Sequence, residues 1–368
     1  MDAPLQNPMG TDGFEFIEYT APDTRALARL FESMGFAAVA RHRSKDVTLY
    51  RQGEINFILN HEFDSYAQAF ARVHGPSVCA FAIRVKDAAH AYRRAIELGA
   101  RPHHGEVGPM ELNIPAIRGI GGSVIYLVDR YGERGTIYDV DFVGVATSGE
   151  PAEGSQGFGS ETSGPSGDAA HAGAGLTQID HITHNVHQGR MDHWARFYEG
   201  LFGFREIRFF DIHGDHTGLR SRALVSPCGK IRIPINEPTD DRSQIEEYLH
   251  AYRGEGIQHI ALATSDIYAS VEALARSGVK FMPTPPTYYE AVDSRISGHG
   301  EDVARLARNR ILIDGARGNL LLQIFTQTVI GPIFFEIIQR KGNDGFGEGN
   351  FQALFEAIER DQLERGVI

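Results

Sequence analysis

Cysteine is nearly missing from this chain: its 368 residues include two, Cys79 and Cys228. One possible pair makes no disulfide framework, so the fold must rest on an apolar core, and a reducing cytoplasm suits such a sequence. Long apolar runs are missing too, and no stretch approaches the roughly 20 residues of a membrane-spanning helix. The opening residues, Met1-Asp-Ala-Pro-Leu-Gln-Asn-Pro, have neither a basic nor an apolar segment, and no signal peptide is expected. Positive charge is short: 36 lysines and arginines stand against 48 acidic residues, a net charge of −12. Neither nucleic acid nor an anionic membrane attracts a protein with that balance, which leaves a small diffusible substrate as the default partner.

Histidine, in contrast, is plentiful, with sixteen in the chain. That number raises the prospect of a metal, although most of so many must sit at the surface or support other groups. At this length the chain has room for about two to three domains and a large core.

The pattern along the chain repeats. Residues 14 to 20 alternate as a strand, and Asp23 or Thr24 caps a helix with Ala26, Leu27, Leu30, Phe31 and Met34 on one face, ending at Gly35. Residues 179 to 204 follow the same plan, with Met191, Trp194, Phe197, Tyr198 and Leu201 on the helix and Gly203 after it. A second unit also occurs twice, from Cys79 into a helix begun by Asp87 and from Gln258 into one begun by Asp266. Aligning the copies sets Phe16 opposite His181 and Ala80 opposite His259. Strand-like runs follow each helix, Thr136 to Phe142 among them. Strand, helix and several antiparallel strands thus recur four times in two paired halves, an α+β plan that curls each sheet into a half-open barrel. Residues 284 to 308 form a partly helical insert, and residues 350 to 363 an amphipathic helix with Phe351, Leu354, Phe355 and Ile358 on one stripe.

Residues 147 to 176, rich in Gly, Ser, Ala, Glu and Pro, read as a flexible linker between an N-terminal domain (1 to 146) and a C-terminal domain (177 to 368).

One carboxylate stands out. Glu336 lies in Pro332-Ile-Phe-Phe-Glu-Ile-Ile-Gln-Arg340, an apolar strand in which an ionised group needs a cation, donors or water. An arginine salt bridge would meet that need. So would a metal, because His181 in Gln178-Ile-Asp-His-Ile-Thr-His184 and His259 in Gly256-Ile-Gln-His-Ile-Ala-Leu262 occupy matching places, at intervals of 78 and 77 residues. Strand alternation puts His184 on the face opposite His181. Two imidazoles and one carboxylate suit octahedral non-haem Fe(II) with open positions, and zinc accepts the same donors.

The chain resembles the 4-hydroxyphenylpyruvate dioxygenases of the vicinal-oxygen-chelate superfamily. The resemblance is carried by Gly218-Leu-Arg-Ser-Arg-Ala-Leu, Ile233-Pro-Ile-Asn-Glu-Pro238, Ser243-Gln244-Ile, the His259 segment, Leu321-Leu-Gln-Ile-Phe-Thr326, the Glu336 segment and Gly345-Phe-Gly-Glu-Gly-Asn-Phe351. Seven motifs in order span nearly the whole C-terminal half, while the N-terminal half matches mainly in plan. The resemblance implies two glyoxalase-like domains built of paired βαβββ units, metal ligands only in the second, and a C-terminal lid helix.

It also implies Fe(II) held by His181, His259 and Glu336, and conversion of 4-hydroxyphenylpyruvate and O2 into homogentisate and CO2, a step of tyrosine and phenylalanine breakdown. Ser221, Asn236 and Gln244 resemble the polar set at the phenol end, with Pro234 shaping the wall. Gln258 and Gln323 resemble cavity amides, and Phe325, Phe334 and Phe351 the aromatic walls. Asn350 either caps the last helix or joins the site. The alternatives are hydroxymandelate synthase, then an extradiol-type dioxygenase or a non-catalytic binding protein on the same fold. An apolar face left on the N-terminal half would give a homodimer or tetramer.

Overall fold

The structure, a computed structural model, describes residues 6–145, 173–213, 218–347, 349–350, 362 and 365–366. Most of the expected linker and of the expected helix over 350–363, Phe351 included, lies outside the described residues.

The N-terminal half runs β1 (Thr11–Thr20), α1 (Arg25–Ser33), β2 (Ala37–His42), β3 (Val47–Gln52), β4 (Ile55–Asn60), α2 (Tyr66–His74), β5 (Ser77–Val85), α3 (Ala88–Glu97), β6 (Pro102–His103), β7 (Ala116–Arg118), β8 (Val124–Val128), α4 (Tyr138–Asp141) and β9 (Phe142–Gly144). The C-terminal half runs β10 (Leu176–Asn185), α5 (Met191–Phe202), β11 (Arg205–His213), β12 (Gly218–Val225), β13 (Arg232–Pro238), α6 (Gln244–Tyr252), β14 (Gly256–Thr264), α7 (Ile267–Arg276), α8 (Pro286–Glu290), α9 (Val292–Arg295), α10 (Val303–Asn309), β15 (Leu312–Ala316), β16 (Asn319–Phe325) and β17 (Phe334–Lys341). The insert is α8 to α10.

Each half is one sheet, ordered β6-β7-β8-β5-β1-β4-β3-β2-β9 and β15-β16-β17-β14-β10-β13-β12-β11 when both are read from the same edge. Eight strands correspond one to one. The central pairs match in sense as well: β1 with β5 and β10 with β14 are antiparallel, whereas β1 with β4, β10 with β13, β5 with β8 and β14 with β17 are parallel. α5 ends as expected at Gly203, which takes the left-handed conformation that a residue without a β-carbon adopts freely.

The run Thr136 to Phe142 is not a strand. Thr136 and Asp139 cap one another, Asp139 Oδ2 accepting from the Thr136 N–H at 2.6 Å and Thr136 Oγ1 from the Asp139 N–H at 3.3 Å. This reciprocal cap starts the single turn α4 in a stretch whose alternation suggests β, and pairing resumes only at β9.

Alternate residues of the central strands face two environments. Tyr19 of β1 and Phe335 of β17 lie in one apolar core that runs through both halves, with ring centroids 6.5 Å apart and Phe57 of β4 stacked 5.9 Å from Phe335. Fully burying an aromatic ring of this kind is worth about 1.5–3 kcal/mol. The intervening residues, Phe16 and Glu18 in β1 or His181 and Thr183 in β10, face the hollow of their own sheet.

Candidate metal centre

His181, His259 and Glu336 come from three adjacent strands of the second sheet. His181 pairs with Ala261 across β10 and β14, and Ala261 pairs with Glu336 across β14 and β17, so the three lie in one row with His259 two residues further along β14. The alanine methyl in the middle leaves room above it. His181 Nε2, His259 Nε2 and Glu336 Oε2 form a nearly equilateral triangle with sides of 3.3, 3.2 and 3.4 Å. Donors about 2.0–2.2 Å from one shared cation stand roughly this far apart. All three side chains are 1 % exposed.

Two β-bulges aim the imidazoles. The register steps from Ile179–Leu262 to His181–Ala261 and from Thr183–His259 to His184–Ile257, which leaves Asp180 and Gln258 as the extra residues. A bulge breaks the alternation and lets consecutive side chains act on one another. Asp180 Oδ1 lies 2.8 Å from His181 Nδ1, and Gln258 Oε1 lies 3.0 Å from His259 Nδ1. Each ring thus donates through Nδ1 and turns Nε2 to the centre. Arg340, four residues past Glu336, grips both oxygens of Asp180 at 2.7 and 2.8 Å.

The charges fit a shared cation. Burial works against ionised Glu336, but the His181 and His259 imidazoles outweigh it and hold its pKa down at about 2. Burial also works against a charged His181, and Glu336 and Asp180 outweigh that, raising its pKa. A cation would need these donors deprotonated, so metal and proton compete for them.

Residues 5–143 match the family described as "Hydroxyphenylpyruvate dioxygenase, HPPD, N-terminal", and residues 178–292 match the "Glyoxalase/Bleomycin resistance protein/Dioxygenase superfamily". The chain is 59 % identical over 367 residues to the hemolysin VllY of Vibrio vulnificus, covering 98 % of each. It is 57 % identical over 367 residues to a 4-hydroxyphenylpyruvate dioxygenase of Pseudomonas aeruginosa, covering 98 % of this chain and 97 % of that one. The chain belongs to the 4-hydroxyphenylpyruvate dioxygenase family. A solved xylose isomerase-like TIM barrel/4-hydroxyphenylpyruvate dioxygenase fusion protein superposes with a TM-score of 0.78 at 34 % identity, over 97 % of this chain and 54 % of that one. The fold is therefore glyoxalase-like, and the family together with the buried triad points to a metal cofactor.

Within this member of the 4-hydroxyphenylpyruvate dioxygenase family, Gln258, Gln323, Phe325 and Phe334 contact the triad directly, and Asn236 and Asn350 reach it through Gln258 and Gln323. Phe334 stacks on His259 at 5.0 Å, and Phe325 meets it edge-on at 6.3 Å. Gln323 donates to Glu336 Oε1 at 2.6 Å and accepts from Asn350 at 2.9 Å. Asn350 in turn accepts from the Tyr288 hydroxyl at 2.7 Å. On the other side Asn236 donates to Asn185 at 3.2 Å and, more loosely, to Gln258 at 3.4 Å. Ser221 faces Asn236 in register, as Ala223 faces Pro234.

Ser221 Oγ, Asn236 Oδ1 and Asn185 Nδ2 are buried without a hydrogen-bond partner among the described residues, a set of polar atoms suited to a polar ligand group. Gln244 opens α6 beside a cavity of about 530 Å³ that reaches Gln258, Met282 and Phe334.

Asp180, Arg340, Asn185, Thr183, Tyr288 and Phe346 are the neighbours that sequence reasoning missed. The Thr183 hydroxyl lies 3.0 Å from His259 Nε2, and the Phe346 ring meets His181 at 5.4 Å. The dipeptides Asp180-His181 and Gln258-His259 carried a signal, a polar residue directly before each histidine. In the motif Gly345 to Phe351, Arg340 donates to the Gly345 carbonyl at 2.6 Å, and the Gly349 N–H donates to Asp314 at 3.0 Å. Gly347 keeps a positive φ of 72°, and a β-carbon there would collide with Gln323 Oε1.

Proposed function

We propose that this chain is an Fe(II)-dependent 4-hydroxyphenylpyruvate dioxygenase that converts 4-hydroxyphenylpyruvate and O2 into homogentisate and CO2. The observation that carries the reading is the triangle of His181, His259 and Glu336, buried in a chain 57 % identical over nearly its full length to a relative of that name. Iron(II) held by the triad would bind the 2-oxo acid end of the substrate and supply the electrons that activate O2. One oxygen atom of O2 would enter the new side-chain carboxylate as the original carboxylate leaves as CO2, and the other would enter the ring.

The chain's own residues do the rest. Asp180 and Gln258 hold the imidazoles in the tautomer that turns Nε2 inward. Phe325 and Phe334 flank the reacting region and exclude water, which protects an oxidising site from unproductive turnover. Ser221, Asn236 and Gln258 offer unfilled or loosely filled hydrogen-bonding capacity to the phenol, and Gln244 lies on the approach. A ring held at both ends is reached at one position, which directs hydroxylation. Pro234 backs Asn236 on the same strand face, and Phe351 is assigned to the aromatic wall by motif alone. The N-terminal half would serve as scaffold, in a cytoplasmic homo-oligomer formed through its exposed apolar residues such as Phe63 and Met110.

The test is an anaerobic titration of the protein with Fe(II) and 4-hydroxyphenylpyruvate, followed by admission of O2. A charge-transfer band on substrate addition and homogentisate in proportion to O2 consumed are expected. Formation of 4-hydroxymandelate would replace the reading with the synthase, and no O2 uptake would leave a binding protein.

A further inference from the structure

The internal repeat reaches every position of the site. By strand register His181, His259 and Glu336 correspond to Phe16, Ala80 and Tyr126, and Asn236 corresponds to Asn60. Even the bulges recur, at Glu15 and Cys79 in place of Asp180 and Gln258. The metal donors are gone from the N-terminal sheet, and the Phe16 and Tyr126 rings, 5.6 Å apart, stand in their place. The hollow is not filled. A cavity of about 600 Å³ remains, walled by Phe16, Ile58, Tyr126 and Phe142.

Its polar end is unusual. Glu18, 7 % exposed, lines the cavity and makes no ion pair among the described residues; its carboxylate accepts from Asn60 at 2.7 Å. Of the two cations that line the cavity, Lys45 and Arg93, Lys45 is paired with Glu111, at 2.7 Å. His103, 8 % exposed, also lines the cavity, and its Nδ1 is without a hydrogen-bond partner among the described residues. Burial and the nearby Arg118 push the His103 pKa down to about 4, so the ring is neutral and adds no positive charge. Burial raises the Glu18 pKa, and a cation seated beside the carboxyl between aromatic walls would hold it ionised.

We propose that the N-terminal cavity is a second binding site, for a small aromatic molecule bearing an ammonium group. The ammonium meets Glu18, the ring lies between Phe16 and Phe142, and Asn60 with His103 completes the polar end. Volume suits a single-ring ligand, since pockets of about 300–1,000 Å³ hold small molecules. The site is separate from the triad and does not depend on the reaction assigned to it.

Tyramine is the probe, with 4-hydroxyphenylacetate as the anion of matched shape, each titrated calorimetrically into the full chain. Saturable tyramine binding is expected, at least tenfold tighter than that of the anion, and weakened about tenfold or more by Glu18→Gln. Asn236→Leu, which alters the C-terminal cavity, is expected to leave it unchanged, and Glu18→Gln to leave turnover of 4-hydroxyphenylpyruvate unchanged. Should Glu18→Gln fold poorly, hydrogen exchange of the wild-type chain decides: tyramine slows exchange over residues 14–20 and 56–60. No saturable binding, equal binding of the anion, binding that survives Glu18→Gln but not Asn236→Leu, or slowed exchange confined to the C-terminal half would overturn the proposal.

Discussion

Asp180 and His181 are consecutive in a strand and yet hydrogen-bonded side chain to side chain, 2.8 Å apart, because a bulge turns both to the same face. With Arg340 on both of its oxygens, Asp180 is a fixed anion that orients His181 and raises its basicity. Asp180→Ala is expected to weaken metal binding by about 10–100-fold, the usual cost of losing such a partner. Asp180→Asn, which keeps an acceptor, should lose less. Competitive metal titration measures both, and unchanged affinity in Asp180→Ala would remove Asp180 from the site.

Glu336→Ala is expected to abolish turnover and purify with little iron, since two neutral imidazoles supply no charge to hold a divalent cation. The fold should survive, because the substitution removes a buried charge as well as a ligand. Iron content close to wild type would refute the assignment of Glu336.

His184 gives the control and a pH dependence of its own. It is fully buried, near Phe81 at 6.1 Å, and burial pushes its pKa from 6.5 down to about 3. Between those values the unfolded chain takes up a proton that the folded chain refuses, so stability falls as pH drops through that window. From pH 7 to pH 5 this group alone costs about 2 kcal/mol. His184→Leu should keep its iron and lose less stability than wild type over that range, which denaturant melts at the two pH values would show. An equal loss in both proteins would assign the acid sensitivity to other groups.

Asn236→Leu keeps the volume roughly and removes the amide that faces Ser221, Asn185 and Gln258. Binding of 4-hydroxyphenylpyruvate should weaken by about 0.5–1.5 kcal/mol, the net worth of one neutral hydrogen bond, and oxygen consumption should exceed homogentisate formed. An unchanged product-to-oxygen ratio would deny Asn236 any part in holding the ring.

Ending the chain after Asn350 retains Gln323, Asn350 and Tyr288 with all three metal donors, and removes the residues expected to close over the site. Such a protein should fold and bind Fe(II) but consume O2 poorly or without matching homogentisate. Full coupled activity would make residues 351 onward dispensable.

The triad was legible because it obeys the repeat: His181 and His259 stand where Phe16 and Ala80 stand in the other half, and the register shows those correspondences directly. The sheets were legible for the same reason, each strand carrying its own alternation. Asp180 was not, because alternation assigns it to the far face, and a bulge is set by pairing with another strand rather than by local sequence. Arg340 was hidden similarly, its partner lying 160 residues away. Thr136 to Phe142 misled because the cap between Thr136 and Asp139 outweighs an alternating pattern in so short a stretch. The aromatic residues of the strands could be recognised as core, but not which half would receive them.

Phe335, the residue before Glu336, is seated among Tyr19 and Phe57, so the strand bearing the carboxylate is held by rings from the other half. A core continuous through both halves couples their stability, so a ligand that binds the folded C-terminal site is expected to stabilise the N-terminal sheet as well. The half without metal donors is in this sense part of the instrument that holds them.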